Sequence, residues 1–218
     1  MRPLSLLEAR VLGVLVEKAH TVPDSYPLSL NALTLGCNQK TAREPVLAAS
    51  EGEVQEAVDD LRSLSLTFES SGSRVTRFEH NVGRALALPS ASVALLATLM
   101  LRGPQTASEL RANSERLHRF ADVSAVEGFL DELAARSDEK GGALCVKLPR
   151  APGAREQRWA HLMSGPIDLA SLPVAGQEAI VPASELASVK ARLSAAEGEI
   201  GRLRALVERL CMDLDVKP

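Results

Sequence analysis

The sequence predicts a mainly α-helical chain with small β-hairpins, an α+β class, built from a duplicated module. Three observations predict it. Ser-x-x-Glu or Thr-x-x-Glu recurs ahead of apolar runs, which is the signature of a capped helix start. The apolar residues Val54, Ala57, Val58, Leu61 and Leu64 repeat at three and four positions, as one face of a helix does. The pairs Val54/Val126, Val58/Leu130, Asp59/Asp131 and Leu61/Leu133 all share one offset of 72 residues, so a second helix of the same pattern follows further on.

The elements follow in order. Ser5-x-x-Glu8 caps a strongly apolar helix through Val11, Leu12, Val14, Leu15 and Val16 to about His20. Pro23 to Pro27 breaks it. Leu28 to Gly36 reads as a short helix with Leu30, Leu33 and Leu35 turned to the core, ended by Gly36 and Asn38. A polar loop to Ala49 leads into the helix capped by Ser50 and Glu53. Leu66–Phe68 and Val75–Phe78 flank a Ser-Ser-Gly-Ser tip, a hairpin signal. Three helices and then a hairpin is the order of a winged helix. Val82 to Leu88 joins the halves, and Pro89 opens the second module. Val93 to Leu101 is apolar on nearly every side and is expected to lie deep. Thr106-x-x-Glu109 caps the next helix, with Leu110 and Leu117 inward, and Ser124-x-x-Glu127 caps the third. Leu144–Leu148 and Gln157–Met163 then flank a longer second wing. The expected boundaries are 1–88 and 89–163 for two tandem winged-helix domains, 164–182 for a Pro- and Gly-bearing linker, and 183–218 for a C-terminal coiled-coil-type helix.

That last helix carries heptads. Leu186, Leu193, Ile200, Val207 and Leu214 take a positions, and Val189, Ala196, Leu203 and Leu210 take d. β-branched a residues with Leu at d favour two strands, and Arg192/Glu197 and Glu199/Arg204 are opposite-sign pairs in a parallel dimer. The expectation is a homodimer through Leu186, Val189, Leu193, Ile200, Leu203, Val207 and Leu210. The competing reading is a helix folded back on its own domains, since Gly198 and Gly201 weaken it by about 1 kcal/mol each.

The totals bound the function. The chain has 218 residues and a formal net charge of −3, which gives no global attraction to nucleic acid or anionic membrane. No apolar run approaches the roughly 20 residues of a membrane helix, and no secretory signal is visible at the N-terminus. Cys37, Cys145 and Cys211 are odd in number and far apart, which suits a reducing cytoplasm.

Several runs resemble a known family. Glu8–Gly13, Tyr26–Leu33, Cys37–Val46, Leu101–Thr106 with Glu109–Arg111, and Arg119–Val123 are similar to the YceH family of bacterial proteins, from about Leu4 to Gly165. Departures are Ala107-Ser108, where the family pattern has Pro-Gly, and Thr41-Ala42, where it has two small polar residues. The resemblance implies tandem winged-helix domains in a cytoplasmic protein and carries no catalytic residue over.

Chemistry is not expected, and no cofactor is called for. His20, His80, His118 and His161 are scattered, and no His or Cys pair has metal-ligand spacing. Cys145, in a β-type run, fits a small core residue better than a nucleophile. Asp59-Asp60 and Asp131-Glu132 are neighbours on helices and diverge by about 100°. Trp159 either stacks on a base or packs on its own domain.

DNA binding is open. A helix-turn-helix reader inserts its third helix in the major groove. Here those helices offer Glu51, Glu56, Asp59 and Asp60 against Arg62, and Glu127, Asp131 and Glu132, which phosphates repel. Duplex DNA would therefore be met by other elements. The candidates are the loop residues Asn38, Gln39, Lys40 and Arg43, the first wing's Arg74 and Arg77, and the second wing's Lys147, Arg150, Arg155 and Arg158, each expected to be exposed. Residues 89–163 carry ten Lys/Arg against nine Asp/Glu, so any basic surface is local. The alternative is a protein-interaction adaptor whose acidic third-helix faces dock basic partners. The loop also has a plain reading in which Asn38 caps the preceding helix and Lys40, Arg43 and Glu44 pair with the acidic helix behind them.

Overall fold

The computed structural model describes residues 1–70, 75–151 and 153–167. Among the described residues there are seven α-helices, two single 3-10 turns and two small antiparallel sheets. The sequence expectation of helices with small hairpins therefore holds.

The first half runs α1 (Leu6–Thr21), β1 (Leu28–Ser29), α2 (Leu30–Cys37), α3 (Glu51–Ser63), β2 (Thr67–Ser70) and β3 (Arg77–His80). Strand β3 lies between β1 and β2, with Leu28 opposite Phe78 and Thr67 opposite His80. After the short α4 (Val82–Ala85) the second half repeats the order: α5 (Ser90–Arg102), α6 (Ala107–Ser114), α7 (Val123–Ala134), β4 (Cys145–Lys147) and β5 (Trp159–His161). The counterpart of β1 is a single bridge in which Gln105 and Trp159 exchange backbone hydrogen bonds at 3.0 and 2.7 Å. Thus α3 and α7 begin 72 residues apart, as the side-chain matches predict, and both bury the matched apolar positions while Asp59 and Asp131 stay exposed.

The predicted capping boxes at Ser5/Glu8, Ser50/Glu53 and Thr106/Glu109 all form. The fourth does not. Helix α7 is capped by Asp122, whose Oδ1 accepts the Ala125 amide at 2.8 Å, and Ser124 lies inside the first turn. A carboxylate at the N-cap satisfies an amide and also meets the positive end of the helix dipole, so the earlier start wins. Leu28 is a strand residue, not a helical one. Leu35 is 64% exposed, not in the core: the inward face of α2 is Leu33, Thr34, Gly36 and Cys37.

Helices α1 and α5 are each the centre of one half and also pack on each other. This explains why both are apolar on nearly every side: Ala9, Val11, Leu12, Val14, Leu15 and Val16 are buried, as is the whole run from Ala91 to Leu101. Each such Leu or Val contributes about 1.5–3 kcal/mol through burial. Gly13 permits the approach, since a Cβ there would meet Leu101 Cγ at 2.9 Å. The Leu4 amide adds a hydrogen bond to the Met163 carbonyl at 2.8 Å, tying the chain start to the second half. The described residues belong to one compact unit, Met1–Leu172. The predicted linker beyond residue 167 and the heptad positions Leu186, Val189, Leu193, Ile200, Leu203, Val207 and Leu210 lie outside the described residues.

Candidate nucleic-acid interface

The loop 38–50 is five residues longer than its counterpart 115–122 in the second half (13 against eight). The extra length is turned inward. Asn38 clamps its two ends: its side-chain oxygen accepts the Ala49 amide and its Nδ2 donates to the Ala49 carbonyl, both at 2.8 Å. Ala42 takes a left-handed conformation (φ 58°), and Arg43 then points into the protein.

Arg43 corrects the expectation of an exposed phosphate contact. It is 5% exposed. Its Nη1 and Nη2 grip the two oxygens of Glu17 on α1 at 3.1 and 2.6 Å. Nε donates to the Gly36 carbonyl at 3.1 Å, and Nη2 also reaches Gln39 Oε1 at 2.7 Å. A planar guanidinium with five donors is suited to such a hub. Burial alone would raise the Glu17 carboxyl, and Arg43 with Lys18 outweighs it, so the group sits below its usual range. The pairing expected with the acidic helix α3 is instead made with α1. Arg10, in the apolar middle of α1, is fully buried and donates to the Cys37 and Pro45 carbonyls at 3.1 and 2.6 Å. The Glu44 amide donates to the Leu101 carbonyl at 2.8 Å. The loop thus ties α1 and α2 to the end of α5. Of its four candidates, Asn38, Gln39 and Arg43 are occupied in folding, and Lys40 alone is exposed with no ion pair among the described residues.

In the predicted first wing, Arg74 lies outside the described residues. Arg77 is half-buried and donates to the Pro27 and Ser25 carbonyls at 2.8 and 3.4 Å, which corrects its expected full exposure. Helix α3 keeps its acidic outer face. Its Arg62 is taken by Asp59 at 3.0 Å and by Glu69. In the predicted second wing, between β4 and β5, Lys147, Arg150, Arg155 and Arg158 are all exposed, as expected. Arg158 pairs with Glu109 at 3.7 Å and donates to the Pro104 carbonyl at 3.4 Å. Lys147, Arg150 and Arg155 have no ion pair among the described residues. Lys147 Nζ sits 5.3 Å from the centre of the Trp159 ring. Trp159 is 1% exposed, so packing on its own domain is what its ring does.

One signal escaped the sequence reading. Arg77-Phe78-Glu79-His80 and Arg158-Trp159-Ala160-His161 are the same strand, 81 residues apart. In each, the Arg bonds a proline carbonyl ahead of the second helix, the aromatic is buried opposite the first strand position, and the His Nδ1 is buried without a partner among the described residues. The thiols of Cys37 and Cys145 are core groups, and burial pushes both up to about 12.

Residues 4–154 match the family described as protein of unknown function, DUF480. A UPF0502 protein of Burkholderia orbicola is 59% identical over 219 residues, covering 99% of this chain and 91% of the relative. UPF0502 proteins of Burkholderia vietnamiensis and Burkholderia pseudomallei strain 668 are 59% and 60% identical over 221 and 217 residues, with the same coverage. No helix among the described residues is long and apolar enough to cross a membrane.

Proposed function

The chain belongs to the DUF480 family, and from that premise we propose that it is a non-enzymatic, cytoplasmic tandem winged-helix protein that binds duplex DNA through its second wing. The helix–strand–helix–helix–strand–strand order in both halves supports the winged-helix reading. The observation that carries the DNA reading is the exposure of Lys147, Arg150 and Arg155 on one hairpin, with no carboxylate engaging them among the described residues. Phosphate contacts of this kind carry affinity without sequence information. The third helices stay out of the groove, since the outer face of α3 presents Glu51, Glu56, Asp59 and Asp60.

Three phosphate contacts lower affinity by roughly 40-fold between about 50 and 200 mM salt. Fluorescence anisotropy with random-sequence duplex DNA is expected to show that slope. The triple substitution Lys147→Gln, Arg150→Gln, Arg155→Gln is expected to abolish binding, and Lys40→Gln to leave it nearly unchanged. No binding at the lower salt, or binding that survives the triple substitution, rejects this interface. The acidic outer face of α3 favours a second reading, a protein adaptor for basic partners, and a negative DNA result selects it.

The heptads of 183–218 are proposed to pair two copies of the chain. Removing them is expected to leave the Met1–Leu172 unit folded and monomeric. A truncated chain that still scatters light as a dimer would rule out the pairing.

A further inference from the structure

A groove of about 750 Å³ runs between the connector into α5 and the C-terminal end of α7. That size lies within the roughly 300–1,000 Å³ of sites that bury a small molecule. Leu86, Leu88 and Leu133 form its apolar wall. Both sides are held by backbone. Ala87 is left-handed (φ 51°), and the Leu86 and Leu88 amides donate to the Val82 and Gly83 carbonyls at 3.0 and 2.9 Å. Opposite, the 3-10 turn Asp138–Lys140 is closed by Gly141 (φ 93°), and the Gly142 amide donates to the Ser137 carbonyl at 3.0 Å. The groove is therefore formed before any ligand arrives, which lowers the ordering cost of binding.

Its lining includes a helix start, a hydroxyl and a guanidinium, all hydrogen-bond donors. Helix α5 starts after Pro89, and no side chain caps its first amides. Ser92, in that first turn, is 2% exposed and lines the groove. Arg136 Nε is buried and also without a partner there; its Nη2 donates to the Lys140 carbonyl. Lys140 adds a second cation. The carboxylates facing the groove, Glu132 and Glu139, are exposed, as is Lys140, so water and salt screen all three and Arg136 is the cation that counts. The uncapped amides, the Ser92 hydroxyl and the free Arg136 Nε are all donors that suit a negatively charged acceptor.

We propose that this groove binds a small amphipathic acid, its carboxylate between Ser92 and Arg136 at the start of α5 and its aliphatic body along Leu86, Leu88 and Leu133. The proposal is independent of the DNA reading and assigns the second half a small-molecule site. The test is a titration of the isotope-labelled full chain with octanoate, followed through its amide resonances, with octanol, octylamine and inorganic phosphate as comparison probes. Octanoate is expected to move the Ala91 and Ser92 resonances saturably and to bind more tightly than the other three. Arg136→Gln is expected to weaken octanoate about ten-fold, as loss of a charge-assisted hydrogen bond does. Ser92→Ala, nearly isosteric, is expected to weaken it in the same direction. Four results overturn the proposal: no saturable shift with octanoate, octanol binding as tightly, phosphate binding as tightly, or affinity unchanged in both variants.

Discussion

Arg43→Met is expected to destabilise the protein by about 3 kcal/mol, the lower end of the range for breaking a buried ion pair, because Glu17 is 17% exposed and keeps Lys18 at 3.4 Å. The substitution keeps much of the volume and leaves the Glu17 carboxylate on α1 without the two donors that hold it at 3.1 and 2.6 Å. It also frees the Gly36 carbonyl and Gln39 Oε1. Arg43→Lys is expected to rescue little, because one ammonium cannot span both Glu17 oxygens, Gly36 and Gln39 at once. Lys40→Met, three residues away and exposed, is expected to fall within about ±0.5 kcal/mol. Urea unfolding of the three variants separates a keystone from a surface cation. In a double-mutant cycle, Glu17→Gln is expected to cost far less in the Arg43→Met background than in the parent. Equal stability of Arg43→Met and Lys40→Met would remove the loop from its role as a strut.

The same residue marks where sequence reasoning stops. Helix caps are local, so Ser5, Ser50 and Thr106 could be read with their Glu partners at fixed spacing. The third helices were legible because burial of Val54, Val58 and Leu61 and of Val126, Leu130 and Leu133 follows helical period alone. Arg43 was not legible, because its surroundings come from α1, α2 and the loop's own fold, 26 residues and more of chain brought together. Its charge suggests solvent, and its partner Glu17 lies in a helix whose other positions are mostly apolar. An Arg at position 10, among residues that are all buried, is the clue that this core holds a cation and needs carbonyls nearby. The twin strands escaped for a different reason. The second helices start 77 residues apart and the third 72, while the residues of the final strands match at 81. Loops and hairpins of unequal length shift each element, so a search at one offset finds one helix pair and loses the strands.

Those twin strands carry the second large effect, a loss of stability in mild acid. His80 and His161 are held neutral by burial, each lowered to about 4, with His20 adding to the shift at His80. The unfolded chain binds a proton at each near the ordinary histidine value of about 6.5. Between these limits the unfolded state holds more protons than the folded state, so stability rises with pH across the window. The contribution is complete above about 6.5, falls through the window, and is fully lost below about 4. At about pH 5 the expected loss is about 2 kcal/mol for each ring. Glu8 and Glu17 add to the loss lower down. The Arg2 hydrogen bond holds the Glu8 carboxyl below its usual range, and for Glu17 the cations beside it outweigh burial, so both contribute stability that is lost only as pH falls past the ordinary carboxylate range. The upper part of the window therefore belongs to the two imidazoles. Urea midpoints measured at about pH 7 and pH 5 are expected to differ strongly in the parent. In the variant with His80→Asn and His161→Asn they are expected to differ little, whatever its stability at neutral pH. A variant as acid-sensitive as the parent would place the acid response outside these strands.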